Sequence, residues 1–179
     1  MAIRKASSYS KRIARPYTRV SRNKSKAYIK QTPHNKIVKY SLGNSPGYHA
    51  GKMKYILRYI SVYKVQVRDT ALESARRLLI KQLEKNAPNQ FYLEMKVKPH
   101  HILRNNKTAA GAGADRLSTG MKQSFGIVEG RAAIVKPGTE VLFVACENEN
   151  AVKVARHALN AVKPKMPVKG RVTFEEISK

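Results

Sequence analysis

Between residues 53 and 67 apolar and polar positions alternate. Tyr55, Leu57, Tyr59, Tyr63, Val65 and Val67 share one parity, while Lys54, Arg58, Lys64, Gln66 and Arg68 take the other. A period of two sends successive side chains to opposite faces, so the stretch reads as one bent strand or two short ones, with one buried face and one basic face. Residues 91–98, Phe-Tyr-Leu-Glu-Met-Lys-Val-Lys, alternate in the same way and predict a strand that Pro99 interrupts. A short β-like run at 36–40 leads into the turn-rich segment Gly43-Asn44-Ser45-Pro46-Gly47. Further strands are expected at 125–135, 139–146 and about 171–174, the first two joined by the turn Lys136-Pro137-Gly138. The run 141–145 is apolar on both parities, which places it inside a sheet.

Twice the period lengthens to that of a helix. From Asp69 onward Leu72, Ala75, Leu79 and Leu83 recur at spacings of three and four, with Leu78 widening the stripe. Thr70 and Glu73 stand at capping-box spacing, and Pro88 predicts an end near Asn86. The second helix spans about 148–162, with Ala151, Val152, Ala155, Leu159 and Val162 on its buried face, Asn148 or Asn150 as cap, and Pro164 as stop. Strands, helix, strand, long loop, two strands, helix and strand describe an α+β fold, with two helices packed on a mostly antiparallel sheet.

Two segments fit neither period. Residues 1–34 interleave cations with Tyr9, Tyr17 and Tyr28 and cannot bury enough surface to fold alone. They read as a basic arm, able to track a phosphate backbone while tyrosines stack on unpaired bases, or as a solubilising tail. Residues 35–179 read as one α+β domain with a long loop at about 105–121. Structureless connections beyond about 12–15 residues are uncommon in compact domains and usually serve binding or linkage. Gly111, Gly113 and Gly120 among small alanines let this backbone approach another polymer closely, with Lys107, Arg116 and Lys122 as countercharge and Asp115 to fix the turn or hold Arg116. A flexible linker satisfies the same composition. A P-loop does not, because Gly120 precedes Met121-Lys122 where that motif needs Gly-Lys-Ser/Thr at a helix start.

Charge narrows the function classes. The 179 residues carry 36 Lys and Arg against 11 Asp and Glu, a formal net charge of +25. Seventeen of the cations precede Asp69, the first acid. Such an excess calls for a polyanionic partner, nucleic acid before membrane. No apolar run approaches the ~18 residues of a membrane span, and no apolar segment follows the basic N-terminus as a secretory signal requires. The single Cys146 closes an apolar run and is expected to be a buried small hydrophobe in a reducing, cytoplasmic setting. His100 and His101 are adjacent and point to opposite faces of a strand, so they do not share a metal easily. Stacking or phosphate contact is the functional reading for them, an ordinary surface pair the other. No cofactor or metal is expected, and Asp115, Cys146, His100 and His101 have no spacing suited to catalysis.

The run 112–121, Ala-Gly-Ala-Asp-Arg-Leu-Ser-Thr-Gly-Met, with Phe125-Gly126 after it, closely resembles the signature of the large ribosomal subunit protein family called L-sixteen in bacteria and L-ten-e in archaea and eukaryotes. Arg15-Pro16-Tyr17-Thr18-Arg19 and Ala71-Leu72-Glu73-Ser74-Ala75-Arg76 agree with it, in order, and the likeness is strongest to the archaeal branch. The resemblance implies an α/β-hammerhead fold without enzymatic activity. It also implies a seat in large-subunit rRNA at the base of the central protuberance, in the region of 5S rRNA, and a loop reaching toward tRNA between the A and P sites. Neighbouring ribosomal proteins and subunit maturation factors are the further partners it implies. A free-standing RNA-binding or RNA-modifying protein is the alternative. Candidate rRNA contacts are Arg4, Lys5, Lys11, Arg12, Arg15, Tyr17, Arg19, Arg22 and Lys24 in the arm and Arg68, Arg76, Arg77 and Arg104 on the body. The tRNA-facing loop comprises Asn105, Asn106, Lys107, Thr108, Gly111, Gly113, Asp115, Arg116, Gly120, Met121 and Lys122. Two positions depart from the family's habit: Ile127 stands where many relatives have a cation, and Ser118 where Gln or Asp is frequent.

Overall fold

The computed structural model describes residues 4–11, 32–105 and 127–177. The elements are β1 (Ser41–Gly43), α1 (Ser45–His49), β2 (Tyr55–Ser61), β3 (Val65–Arg68), α2 (Asp69–Asn86), β4 (Phe91–Met95), β5 (His101–Asn105), β6 (Ile127–Val135), β7 (Glu140–Cys146), α3 (Glu149–Val162) and β8 (Gly170–Glu176), with a 3-10 turn at Lys163–Lys165. The α+β class stands. The single sheet does not: a five-stranded sheet in the order β1-β4-β7-β2-β8 accompanies a three-stranded one in the order β3-β6-β5. All the pairings are antiparallel.

The apolar run of β7 is explained by its position between β4 and β2, with both faces covered. On one face Leu57, Tyr59, Leu93, Met95, Leu142 and Val144 meet Leu72, Leu79 and Leu83 of α2 and Ala155 and Leu159 of α3, all buried in one core. The other face carries a smaller cluster of Met53, Ile56, Tyr92, Phe143 and Ala145, on which Tyr48 packs. Tyr48 and Tyr92 stack at 4.5 Å between ring centroids.

Several local expectations shift. The run 36–40 is not a strand; β1 begins at Ser41, and Val38 lies exposed. The segment predicted as a turn holds the one-turn helix α1, because Asn44 Oδ1 accepts the Gly47 N–H at 2.8 Å and Pro46 suits the first turn. The capping box at Thr70 and Glu73 does not form. The helix starts two residues earlier, with Arg68 at the N-cap; Asp69 Oδ1 takes the Thr70 N–H at 2.7 Å, and Glu73 turns to arginines. Asn148 occupies the N-cap position of α3 without a side-chain cap bond, and Val152 is only half-buried.

The stretch 53–67 resolves into β2 and β3, which belong to different sheets, and Tyr63 lies exposed in the connection. The chain crosses between sheets again from β6 to β7. The two crossings run side by side: Gly138 N–H donates to Ser61 O at 2.8 Å and Ser61 N–H to Thr139 O at 3.0 Å. Gly138, at φ +78°, takes the left-handed conformation that this turn needs.

Candidate nucleic-acid interface

The root of the basic arm is docked on the small sheet. Gln66 and Arg68 alternate with valines in β3, and in a period-two reading they belong to a solvated basic face. Gln66 is instead only 1% exposed. Its Nε2 donates to Tyr9 O at 2.9 Å and its backbone N–H to Ser10 O at 3.1 Å. Because the amide nitrogen is thus assigned, Gln66 Oε1 must accept, and the partner within reach is His101 Nδ1. His101 is therefore held as the Nδ1–H tautomer in the interior, neither a surface histidine nor a phosphate ligand. Its burial, with His100 adding a smaller contribution, lowers its pKa below the usual 6.5.

Arg68 Nη2 donates to the carbonyls of Arg4 at 2.8 Å and Lys5 at 2.7 Å. On the neighbouring strand Glu129 accepts from the Tyr9 hydroxyl at 2.9 Å and pairs with Arg4 at 3.5 Å. Arg4 also bonds the Tyr9 hydroxyl and sits 5.3 Å from its ring centroid. Burial first, then the Glu129 carboxylate, raises the Tyr9 pKa. The chain re-enters the same region at Pro33, whose carbonyl accepts from Arg131 Nε at 2.7 Å, and at Lys36, whose N–H donates to Asp69 Oδ2 at 3.1 Å. Between these contacts an open groove of about 590 Å³ is lined by Arg4, Lys36, Arg68 and Lys165 together with Glu129 and Asp69.

The predicted cations on the body divide by what they touch. Arg76 is drawn inward: its Nε and Nη2 donate to both oxygens of Glu73 at 2.7 Å, with side-chain exposures of 12% and 8% for the pair. The Arg76 bonds are the chief cause holding the Glu73 carboxyl at about 2, and Arg77 contributes at 2.9 Å. Arg77 itself remains 72% exposed, and Lys81 and Lys85 lie exposed further along α2. Arg104 is half-buried in β5, opposite Val128. Lys5 and Lys11 are exposed. Thus Arg68 and Arg76 serve protein partners, whereas Lys5, Lys11 and Arg77 face outward.

The predicted loop leaves from Asn105 at the end of β5, which pairs with Ile127 at the start of β6. Asn106, Lys107, Thr108, Gly111, Gly113, Asp115, Arg116, Gly120, Met121 and Lys122 lie outside the described residues, as do Arg12, Arg15, Tyr17, Arg19, Arg22 and Lys24 of the arm. Among the described residues no group of three or more His, Cys, Asp or Glu side chains is arranged to hold a metal ion, and no helix is long and apolar enough to cross a membrane. Cys146 is fully buried, and burial pushes its thiol up to about 12, far from a nucleophile's range.

With 11 acids against 36 cations the surface stays positive. Glu73, Glu94, Glu129, Glu140 and Glu175 are engaged by Arg76 and Arg77, Lys96, Arg4 and Arg58, and Asp69 accepts backbone amides. What the arrangement can do chemically is bind a polyanion over a large area.

Sequence comparisons agree with this reading. The profile of the family described as Ribosomal protein L16p/L10e matches residues 15–173. A large ribosomal subunit protein uL16 from Staphylothermus marinus is 38% identical over 99% of this chain and 96% of its own length. The proteins of the same name from Archaeoglobus fulgidus and Thermofilum pendens are 36% identical over 97% and 94%, and 40% identical over 90% and 90%, of this chain and their own respectively.

Proposed function

The chain belongs to the ribosomal protein L16p/L10e family, structural and non-enzymatic constituents of the large subunit in the cytoplasm, and from that premise we propose that its body seats in large-subunit rRNA while the loop at 105–121 reaches tRNA. The observation that supports this most directly is the uncancelled charge: +25 overall, with most of the folded domain's acids committed to internal partners. In this reading residues 1–34 form the rRNA-binding arm. Arg15, Tyr17, Arg19, Arg22 and Lys24 contact RNA, and residues 4–11 belong structurally to the body. Arg77, Lys5 and Lys11 contact phosphates directly. Arg68 and Arg76 instead position the arm's root and α2.

The finer placement rests on the family resemblance: a seat at the base of the central protuberance near 5S rRNA, with Lys107, Arg116 and Lys122 approaching tRNA between the A and P sites. The geometry is compatible with it, because Asn105 and Ile127 anchor the loop's ends on adjacent strands. Neighbouring ribosomal proteins and maturation factors are the remaining partners in this proposal.

Shortening residues Thr108 to Ser118 tests it. Incorporation into large subunits, followed by co-sedimentation through a high-salt wash, should persist, while elongation or subunit maturation is impaired. Loss of incorporation would make the loop an rRNA anchor instead, and a wild-type chain that washes off at moderate salt would overturn the assignment as an integral constituent.

A further inference from the structure

The corner where the chain crosses twice between the sheets has a surface that the arm and the loop do not account for. Three connections meet there: 62–64 between β2 and β3, 136–139 between β6 and β7, and the residues leading into β8. Val62 N–H donates to Lys169 O at 3.0 Å, Gly138 N–H to Ser61 O, and Ser61 Oγ to Tyr63 O at 2.7 Å, so the corner is ordered by its own backbone. Lys64 and Lys136 flank the paired Val65 and Val135, and both are exposed. Lys169 is exposed too, with its Nζ 6.0 Å from the centre of the Tyr63 ring.

Two properties of this corner point to a ligand. First, Tyr63 is 60% exposed and the adjacent Val62 47%, so that two of the few large apolar side chains left exposed among the described residues stand side by side here. Second, the segments 61–68, 130–139 and 161–174 contain no acid. The acids that border them are turned elsewhere: Glu140 and Glu175 to Arg58 at 3.7 and 2.8 Å, Glu129 to Arg4, and Asp69 to the amides of Lys36 and Thr70. An open ring with Lys169 beside it, and with exposed Lys64 and Lys136 on the same corner, matches a strand whose bases are unpaired: the π-face accepts a base of any sequence, and lysine ammoniums act as point charges for the flanking phosphates. A protein partner would ask for a broad contiguous apolar patch, and here the apolar surface is limited to Tyr63 and Val62 on a corner that also exposes Lys64, Lys136 and Lys169.

We propose that this corner is a contact site for single-stranded RNA, in which an unpaired base stacks on Tyr63 and the adjoining phosphates lie against Lys64, Lys136 and Lys169. The site rests on the reading of the chain as an rRNA-seated constituent and adds a second foothold, separate from the arm.

The test uses the full chain and a transcript of large-subunit rRNA, with affinity measured across a salt series. Tyr63→Ala should weaken binding about tenfold, within the range for loss of one stacked base, and Tyr63→Phe should bind as the wild type does. Replacing Lys64, Lys136 and Lys169 together by Gln should flatten the log–log salt slope by roughly 2 to 3. Ultraviolet cross-linking should join the peptide holding Tyr63 to an unpaired nucleotide. Unchanged affinity and slope in these variants would overturn the corner site while leaving the proposed function intact. A wild-type chain with no salt-dependent binding would instead defeat the proposed function itself.

Discussion

Glu73 offers the sharpest test of how α2 is held. Its buried carboxylate takes two bonds from Arg76 and one from Arg77, and the Val38 N–H approaches at 3.5 Å. A carboxyl held at about 2 instead of 4.5 contributes about 3 kcal/mol to stability at neutral pH. The sign follows from the depressed value: the unfolded chain binds the proton more tightly, so the contribution is complete above 4.5 and is lost as pH falls toward 2, with roughly half left at pH 3. Glu73→Gln keeps the shape and removes the charge. Urea unfolding of both proteins should give a stability gap of about 2–3 kcal/mol at pH 7, narrowing steadily through pH 4 and 3. A gap under about 0.5 kcal/mol, or one that does not change with pH, would refute the reasoning. The neighbouring arginines should separate cleanly. Arg76→Gln should destabilise the fold by a similar amount because it leaves Glu73 buried without its main partner, and Arg77→Gln should cost little stability yet weaken rRNA binding.

His101 has a depressed pKa in its buried bond to Gln66, so its contribution is full above 6.5 and is lost as pH falls below it; His101→Gln should flatten the stability profile between pH 7 and 5. Cys146 should resist a thiol reagent in the folded protein and react only on addition of denaturant, as its burial and raised pKa require; fast labelling of native protein would contradict the packing of β7. Gly170 lies directly beneath the Tyr59 ring, where a Cβ would overlap it, and Gly170→Ala should lower stability by about 1–3 kcal/mol in a thermal melt. A neutral result would mean that β8 can shift away from β2 without penalty.

The sequence carried the periodic elements well. Leu72, Ala75, Leu79 and Leu83 are buried as the helical spacing requires, and Val141 to Ala145 lie inside the larger sheet as an unalternating apolar run should. The division into two sheets was not legible, because alternation across 55–67 is preserved through the corner and parity does not tell one sheet from another. Gln66 and His101 were missed for a related reason. Polar residues at a polar parity look solvated unless one knows that Tyr9 and Ser10, more than fifty residues upstream, fold back over them. The capping box failed because Glu73 had stronger bidentate partners in Arg76 than a backbone amide offers. In the candidate interface, residue type revealed the cations but not their direction, and direction separates Arg76 from Arg77.

The paired crossings at 61–64 and 135–139 bear on how the domain comes apart. A single linker would let the small sheet melt as its own unit. Two covalent passages laced by reciprocal backbone bonds, with α2 in contact with β3 and β6 as well as with α3, tie the small sheet to β2 and β7 in the middle of the larger one, so neither sheet can unfold without disturbing the other. The platform under Asn105 and Ile127 should therefore share the global cooperativity of the whole domain in hydrogen exchange, and the strands that launch the loop should open only when the core does.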